Sequence, residues 1–142
     1  MRVLIFLFLI ALFACEKNNS PEETLTSFVN YRFEKQQDLE HIKPFLTDKF
    51  FVFFNDLNLE ARDKVLGPKN ILKKKFKILI KKCETEEKCF VTYYLNYLGG
   101  EKTEHEVELK KIAEMVLESD GWKINDVTDV KTFVDFKDQL KP

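Results

Sequence analysis

Apolar and polar residues follow three different spacings along this chain. Val3 to Phe13 is an unbroken apolar run behind Met1-Arg2. From Ser20 onward the apolar residues recur at helical intervals, with Leu25, Phe28 and Val29 on one face and Tyr31-Arg32-Phe33 carrying the helix to about Gln37. Ser20-Pro21-Glu22-Glu23 supplies the start: a serine N-cap, proline at the first helical position and glutamate at the capping-box position. A second helical piece begins near Asp38 and carries Leu39, Ile42, Phe45 and Leu46, with Pro44 delaying or kinking it. Thr47 or Asp48 can cap a third piece through Phe50–Phe54, although that block fits a buried strand equally well. Leu59 to Val65 predicts a short helix stopped by Gly67-Pro68.

From Ile71 the period becomes two. Phe76, Ile78 and Ile80 alternate with Lys75, Lys77 and Lys81, and Leu79 is the exception. Cys89 to Tyr97 is rich in β-branched and aromatic residues and predicts a strand. Leu98-Gly99-Gly100-Glu101 reads as a turn. Residues 107–118 fit two patterns: Val107, Leu109, Ala113, Met115 and Leu117 alternate with charges, while Leu109, Ile112, Ala113, Val116 and Leu117 share a helical face. The Ser119-Asp120-Gly121 turn before Trp122 to Val127 favours a strand in a hairpin. Helices first and then about four antiparallel strands predict an α+β domain, its N-terminal helices packed on one face of a curved sheet.

The N-terminal run changes the picture from fold to location. A basic start, a short apolar stretch and a small residue before a cut give the layout of a secretory signal. The run is too short to cross a bilayer, which takes about 18 apolar residues or more. Leu12-Phe13-Ala14-Cys15 resembles a bacterial lipobox, whose cysteine thiol receives a diacylglycerol before cleavage. An ordinary signal would want a small residue where Leu12 stands. The expected organisation is a signal peptide over 1–14, a lipidated tether over 15–20 and a single domain over 21–142. The implied location is the bacterial cell envelope, outside the cytoplasm, with Cys15 as the membrane anchor. Glu16 is not the aspartate associated with inner-membrane retention, so the outer membrane is the expected side.

Charge and cysteine content narrow the chemistry. A formal net charge of −1 gives no electrostatic reason to expect nucleic acid. With Cys15 lipidated, Cys83 and Cys89 remain, flanking the polar stretch Glu84 to Lys88 between two strands. In an oxidising compartment that pair closes into a disulfide. Its C-x₅-C spacing, with no companion Cys/His pair, suits neither zinc nor a C-x-x-C redox centre. No phosphate loop, H-E-x-x-H or G-x-S-x-G occurs, and no cofactor or metal is expected.

Helices followed by a sheet ending in Glu108-Leu109-Lys110-Lys111-Ile112 and Asp120-Gly121-Trp122-Lys123-Ile124-Asn125-Asp126-Val127 resemble the nuclear-transport-factor-2-like superfamily. The closest members in style are small bacterial lipoproteins of the DUF4878 type. The resemblance implies a cone: a sheet wrapped around helices with a pocket at the open end. Some members are isomerases, dehydratases or hydrolases, and many are binding or dimerisation domains. Tyr93, Tyr97 and Trp122 are candidate pocket walls, since aromatic faces with polar tips suit small apolar ligands. Asp126 is the candidate catalytic base, and His105, between Glu104 and Glu106, reads as a solvated edge residue. The expected function is a non-enzymatic binding module for a protein partner, a second copy of the chain or a small apolar ligand. Two alternatives stand beside it. One is a pocket enzyme of isomerase or dehydratase type using Asp126. The other is a structural protein held on anionic lipid by Lys75, Lys77 and Lys81, where each lysine adds ~1 kcal/mol.

Overall fold

The computed structural model describes residues 19–33, 39–66, 72–99 and 105–136. Cys15 and the signal-like run lie outside the described residues. Helix α1 (Pro21–Arg32) starts as the sequence predicts: the Ser20 hydroxyl accepts from the Glu23 N–H at 3.1 Å, and the Glu23 carboxylate accepts from the Ser20 N–H at 2.8 Å. The described helix ends at Arg32 with Phe33 as its C-cap, the Phe33 ring 6.1 Å from that of Tyr97, and the expected continuation toward Gln37 lies outside the described residues. Helix α2 (Leu39–Ile42) gives way to a 3-10 turn over Lys43–Phe45 where Pro44 removes an N–H. Helix α3 (Asp48–Asp56) resolves the Phe50–Phe54 ambiguity. The Thr47 hydroxyl caps it by accepting from the Phe50 N–H, and Phe50 and Phe54 are buried one turn apart. Helix α4 (Leu59–Leu66) begins with the Asn58 side chain accepting from the Ala61 N–H.

Four strands follow as an antiparallel meander, β1 (Leu72–Thr85), β2 (Lys88–Gly99), β3 (His105–Glu118) and β4 (Gly121–Phe136), in the order β1-β2-β3-β4. The chain is therefore α+β, helices first, with the helical layer on one sheet face. The inner face is built from Cys89, Val91, Tyr93, Leu95 and Tyr97 of β2 and Val107, Leu109, Ala113 and Met115 of β3. Residues 107–118 are a strand paired on both sides along their length. Gly121 closes the β3–β4 hairpin at φ +123°, a conformation L side chains rarely adopt.

Register irregularities re-aim side chains at specific points, as an extra residue does in any strand pair. One between Ile78 and Ile80 breaks the alternation of β1. Phe76 and Ile78 face the helices, but Ile80 pairs with Thr92 on the outer face and is 61% exposed. The expectation that Phe76, Ile78 and Ile80 share one face therefore fails at Ile80. Lys81, expected outward with Lys75 and Lys77, turns inward instead.

Lys111 is a buried charge on the inner face, only 1% exposed. Its ammonium donates to the carbonyls of Lys64 (2.6 Å) and Val65 (3.1 Å) at the end of α4, and pairs with Asp129 at 2.5 Å. Burial lowers the lysine's pKa, with the Asp129 carboxylate opposing the shift. Beside it, burial and the Asp129 charge push the Tyr93 phenol far above its ordinary value. Helix C-termini leave carbonyls without intrahelical partners, and a buried cation satisfies them well. Replacing Lys111 by Met leaves those carbonyls under α4 without their donor. The expected loss is about 1–3 kcal/mol in urea unfolding, with faster hydrogen exchange at α4 amides than elsewhere. Unchanged exchange in α4 would show that the lysine does not hold the helix down.

Candidate functional site at the tether end of the sheet

The tips of the β1–β2 and β3–β4 hairpins and the start of α1 meet at one end of the sheet. At the first tip Thr85 pairs with Lys88 across the Glu86-Glu87 turn, and Cys83 and Cys89 sit opposite each other two steps in. They form the expected disulfide, with Cα atoms 3.9 Å apart. Cys89 is buried and Cys83 is exposed. Lys81, on the same face of β1, reaches across to α1, and its ammonium lies 2.6 Å from a Glu22 carboxylate oxygen.

The second hairpin brings Trp122 to the same end. Trp122 pairs with Leu117 and stays half-buried. It forms a ridge between two grooves. One, of about 440 Å³, is lined by Pro21, Lys81, Cys83, Glu84, Thr85, Glu86, Cys89 and Trp122. The other, of about 170 Å³, lies between Asn19, Thr24, Pro44, Phe45 and the residues Asp120 to Lys123. Lys123 pins the second groove. Its ammonium donates to the Pro44 carbonyl at 2.7 Å and pairs with Asp120 at 2.7 Å, which holds the Asp120 carboxyl below its usual value. Next to it, the Thr47 N–H donates to the Ile124 carbonyl and Leu46 bridges Ile124, so the helical layer covers this stretch of the β4 edge.

The predicted pocket residues do not converge. Tyr93 is 2% exposed at the centre of the inner face, its ring against Phe76, and Tyr97 is buried under Phe33. Trp122 stands six positions along β3 from the Tyr93–Lys111 pair, about 20 Å at strand spacing. Tyr93 and Tyr97 are core residues, and of the three Trp122 alone lines a described groove. Asp126 is placed outward. An irregularity at Asn125 breaks the Trp122–Ile124–Asp126 alternation, so Asp126 pairs with Glu114 on the outer face and is exposed. Asn125 takes up the slack by donating to Glu114 while its side-chain oxygen faces the Thr47 hydroxyl. His105 heads β3 opposite Phe136, and its side chain lies outside the described residues. The Lys75, Lys77 and Lys81 set is split, the first two outward and the third paired with Glu22.

The Glu22–Lys81 pair had one signal in the sequence, the break of alternation at Leu79. Lys111 had another, a charge in the apolar phase of β3. No group of three His, Cys, Asp or Glu able to hold a metal occurs among the described residues, nor any helix long and apolar enough to cross a membrane. No family model, curated protein or solved structure matches the chain.

Two outcomes follow from this end of the molecule. Replacing both Cys83 and Cys89 by Ser is expected to cost roughly 2–2.5 kcal/mol in urea unfolding, the loop-entropy value for so small a ring. Glu22 responds to acid. Burial raises its pKa, but the Lys81 hydrogen bond and charge outweigh it and the net shift is downward from 4.5. A depressed carboxyl pKa contributes stability above its unfolded value, and that contribution disappears as pH falls through the folded one. The difference in thermal midpoint between the protein and Lys81→Met should therefore be full at neutral pH and shrink below about pH 4.5. A difference that is constant with pH would show the pair contributes nothing.

Proposed function

We propose that this protein is a lipid-anchored binding module of the bacterial cell envelope. Cys15 carries the lipid, and the Trp122 grooves face a protein segment or small apolar ligand close to the membrane surface. One observation carries this reading: Asn19 and Pro21, among the first three described residues of the chain, each line a groove with Trp122. Three residues lie between Cys15 and Asn19, so the four steps reach at most about 14 Å. A lipid on Cys15 would thus hold the grooves near the headgroups. One acyl chain binds a membrane only reversibly, whereas two or more anchor stably. The lipobox-like Leu12-Phe13-Ala14-Cys15 and the Cys83–Cys89 disulfide both suit an exported chain.

The reading is tested in two steps. A bacterial host fed a labelled fatty acid should label the chain and deliver it to the membrane fraction. Cys15→Ala should abolish both. Trp122 is the only tryptophan of the chain, so the groove reports on itself. An apolar dye such as anilinonaphthalene sulfonate should shift Trp122 emission, and Trp122→Ala should lose most dye binding while the far-ultraviolet spectrum is kept. Equal dye binding by the variant would place the apolar contact elsewhere, and an unlabelled wild-type chain would remove the anchor.

A further inference from the structure

Helix α3 carries an exposed stripe that is its own complement. Lys49, Val52, Phe53 and Asp56 are spaced three, one and three residues apart, so they share one face of the helix. All four are exposed, Val52 at 59% and Phe53 at 50%, while Phe50 and Phe54 are buried on another side. The Phe53 ring stacks on that of Phe50, 6.1 Å between centroids, which holds its outer surface in place. Lys49 and Asp56 form no ion pair among the described residues. The other charges around α3 are engaged elsewhere. Asp48 lines a groove with Glu40 and Lys43, and Glu60 pairs with Lys64 at 2.8 Å. Arg62 lies over the Phe54 ring and donates to the Asn55 and Leu57 carbonyls. Lys49 and Asp56 also stand at the unfavourable ends of their own helix. Lys49 is in the first turn and Asp56 is the last residue, where the helix dipole disfavours a cation and an anion respectively.

We infer that α3 pairs with α3 of a second copy of this chain, the two helices lying antiparallel about a two-fold axis between Val52 and Phe53. Lys49 then lies level with the partner's Asp56 and Val52 with the partner's Phe53, and the reciprocal contacts follow by symmetry. Packed helices run about 8–10 Å apart, a gap that a lysine and an aspartate side chain bridge together. Like charges stay apart, because each lysine is seven residues, about 10.5 Å, from the other along the axis, and so is each aspartate. A parallel pair would instead set lysine on lysine. Antiparallel packing also reverses the dipole penalty. It brings Lys49 to the C-terminal end of the partner helix and Asp56 to its N-terminal end. The Val52–Phe53 centre supplies the apolar contact, with Phe53 as its aromatic anchor. A nine-residue helix is about 13 Å long, so the pair buries far less than the ~800 Å² per partner of a standard interface. The contact is accordingly reversible, with a dissociation constant on the order of 0.1–1 mM. A lipid on Cys15 would crowd copies onto one membrane, but the pairing itself depends on neither that lipid nor the Trp122 grooves.

Dilution and charge reversal test it together. The full chain, isotope-labelled and in detergent with micelles in excess of protein, is followed by its amide spectrum from about 20 μM to about 1 mM. Wild type should show concentration-dependent shifts that are largest in α3 and fit a dissociation constant at or below about 1 mM. K49E and D56K should each weaken the pairing by at least about ten-fold, since each sets like charges level across the axis twice. An equimolar mixture of the two variants should restore the α3 shifts, because every charge then meets its opposite. That recovery also shows that both variants are folded. A wild type whose α3 amides do not move up to the highest concentration overturns the inference, whether the stripe meets another protein or water. Concentration-dependent shifts that spare α3 overturn it as well, since they place self-association on a different surface. So do single variants that keep the wild-type shifts, or a mixture that fails to restore them.

Discussion

A lysine at the centre of a buried sheet face ties the two layers of this protein together. An uncompensated ammonium in an apolar interior costs several kcal/mol, so Lys111 must find acceptors wherever the chain can supply them. It finds them in the last carbonyls of α4 and in Asp129 on the neighbouring strand. The requirement runs both ways. A two-turn helix has marginal stability alone and leaves carbonyls unpartnered at its end, so α4 is held by the sheet it covers. The end of α4 and Asp129 on β4 are thus both tied to the inner sheet face through that one charge.

The rest of the chemistry is distributed by register. A strand alternates its side chains strictly, and one extra residue exchanges the faces for everything beyond it. At Leu79 the exchange brings Lys81 inward to Glu22 and sends Ile80 outward. At Asn125 it turns Asp126 away from the core and seats Asn125 between Glu114 and Thr47. These two irregularities join the sheet to helix starts, the first to α1 and the second to the Thr47 cap of α3. The same devices that set the layers in place therefore decide which polar groups reach the grooves and which reach solvent.

The result is a molecule with three distinct surfaces. The helix-covered face is packed with aromatic and aliphatic side chains and also buries two cations, Lys111 and Arg32. The end holding both hairpin tips carries Trp122, the disulfide and mixed charge in shallow grooves. The outer sheet face mixes lysines and carboxylates, with the cross-strand pairs Lys110–Lys131 and Glu114–Asp126 on either side of the Ile80–Thr92–Ile112–Thr128 row.

Read as a string, the chain determined where its helices start and what class of fold it makes. Ser20, Thr47 and Pro44 act through neighbours a few residues away, and the change of period from helical to two is local, so each is legible without tertiary contacts. The Cys83–Cys89 pairing was legible too, because a hairpin places flanking residues opposite each other. What only the tertiary structure decided were the faces and the long-range partners. The pattern of 107–118 stayed ambiguous because Lys111 interrupts its apolar phase, and the carbonyls that accept that lysine lie more than forty residues earlier in the chain. Asp126, Tyr93 and Trp122 could not be assigned to one pocket or separated, because alternation carries a residue's direction only until the next irregularity. An irregularity is selected by what the strand must meet across the fold, and that information is not local.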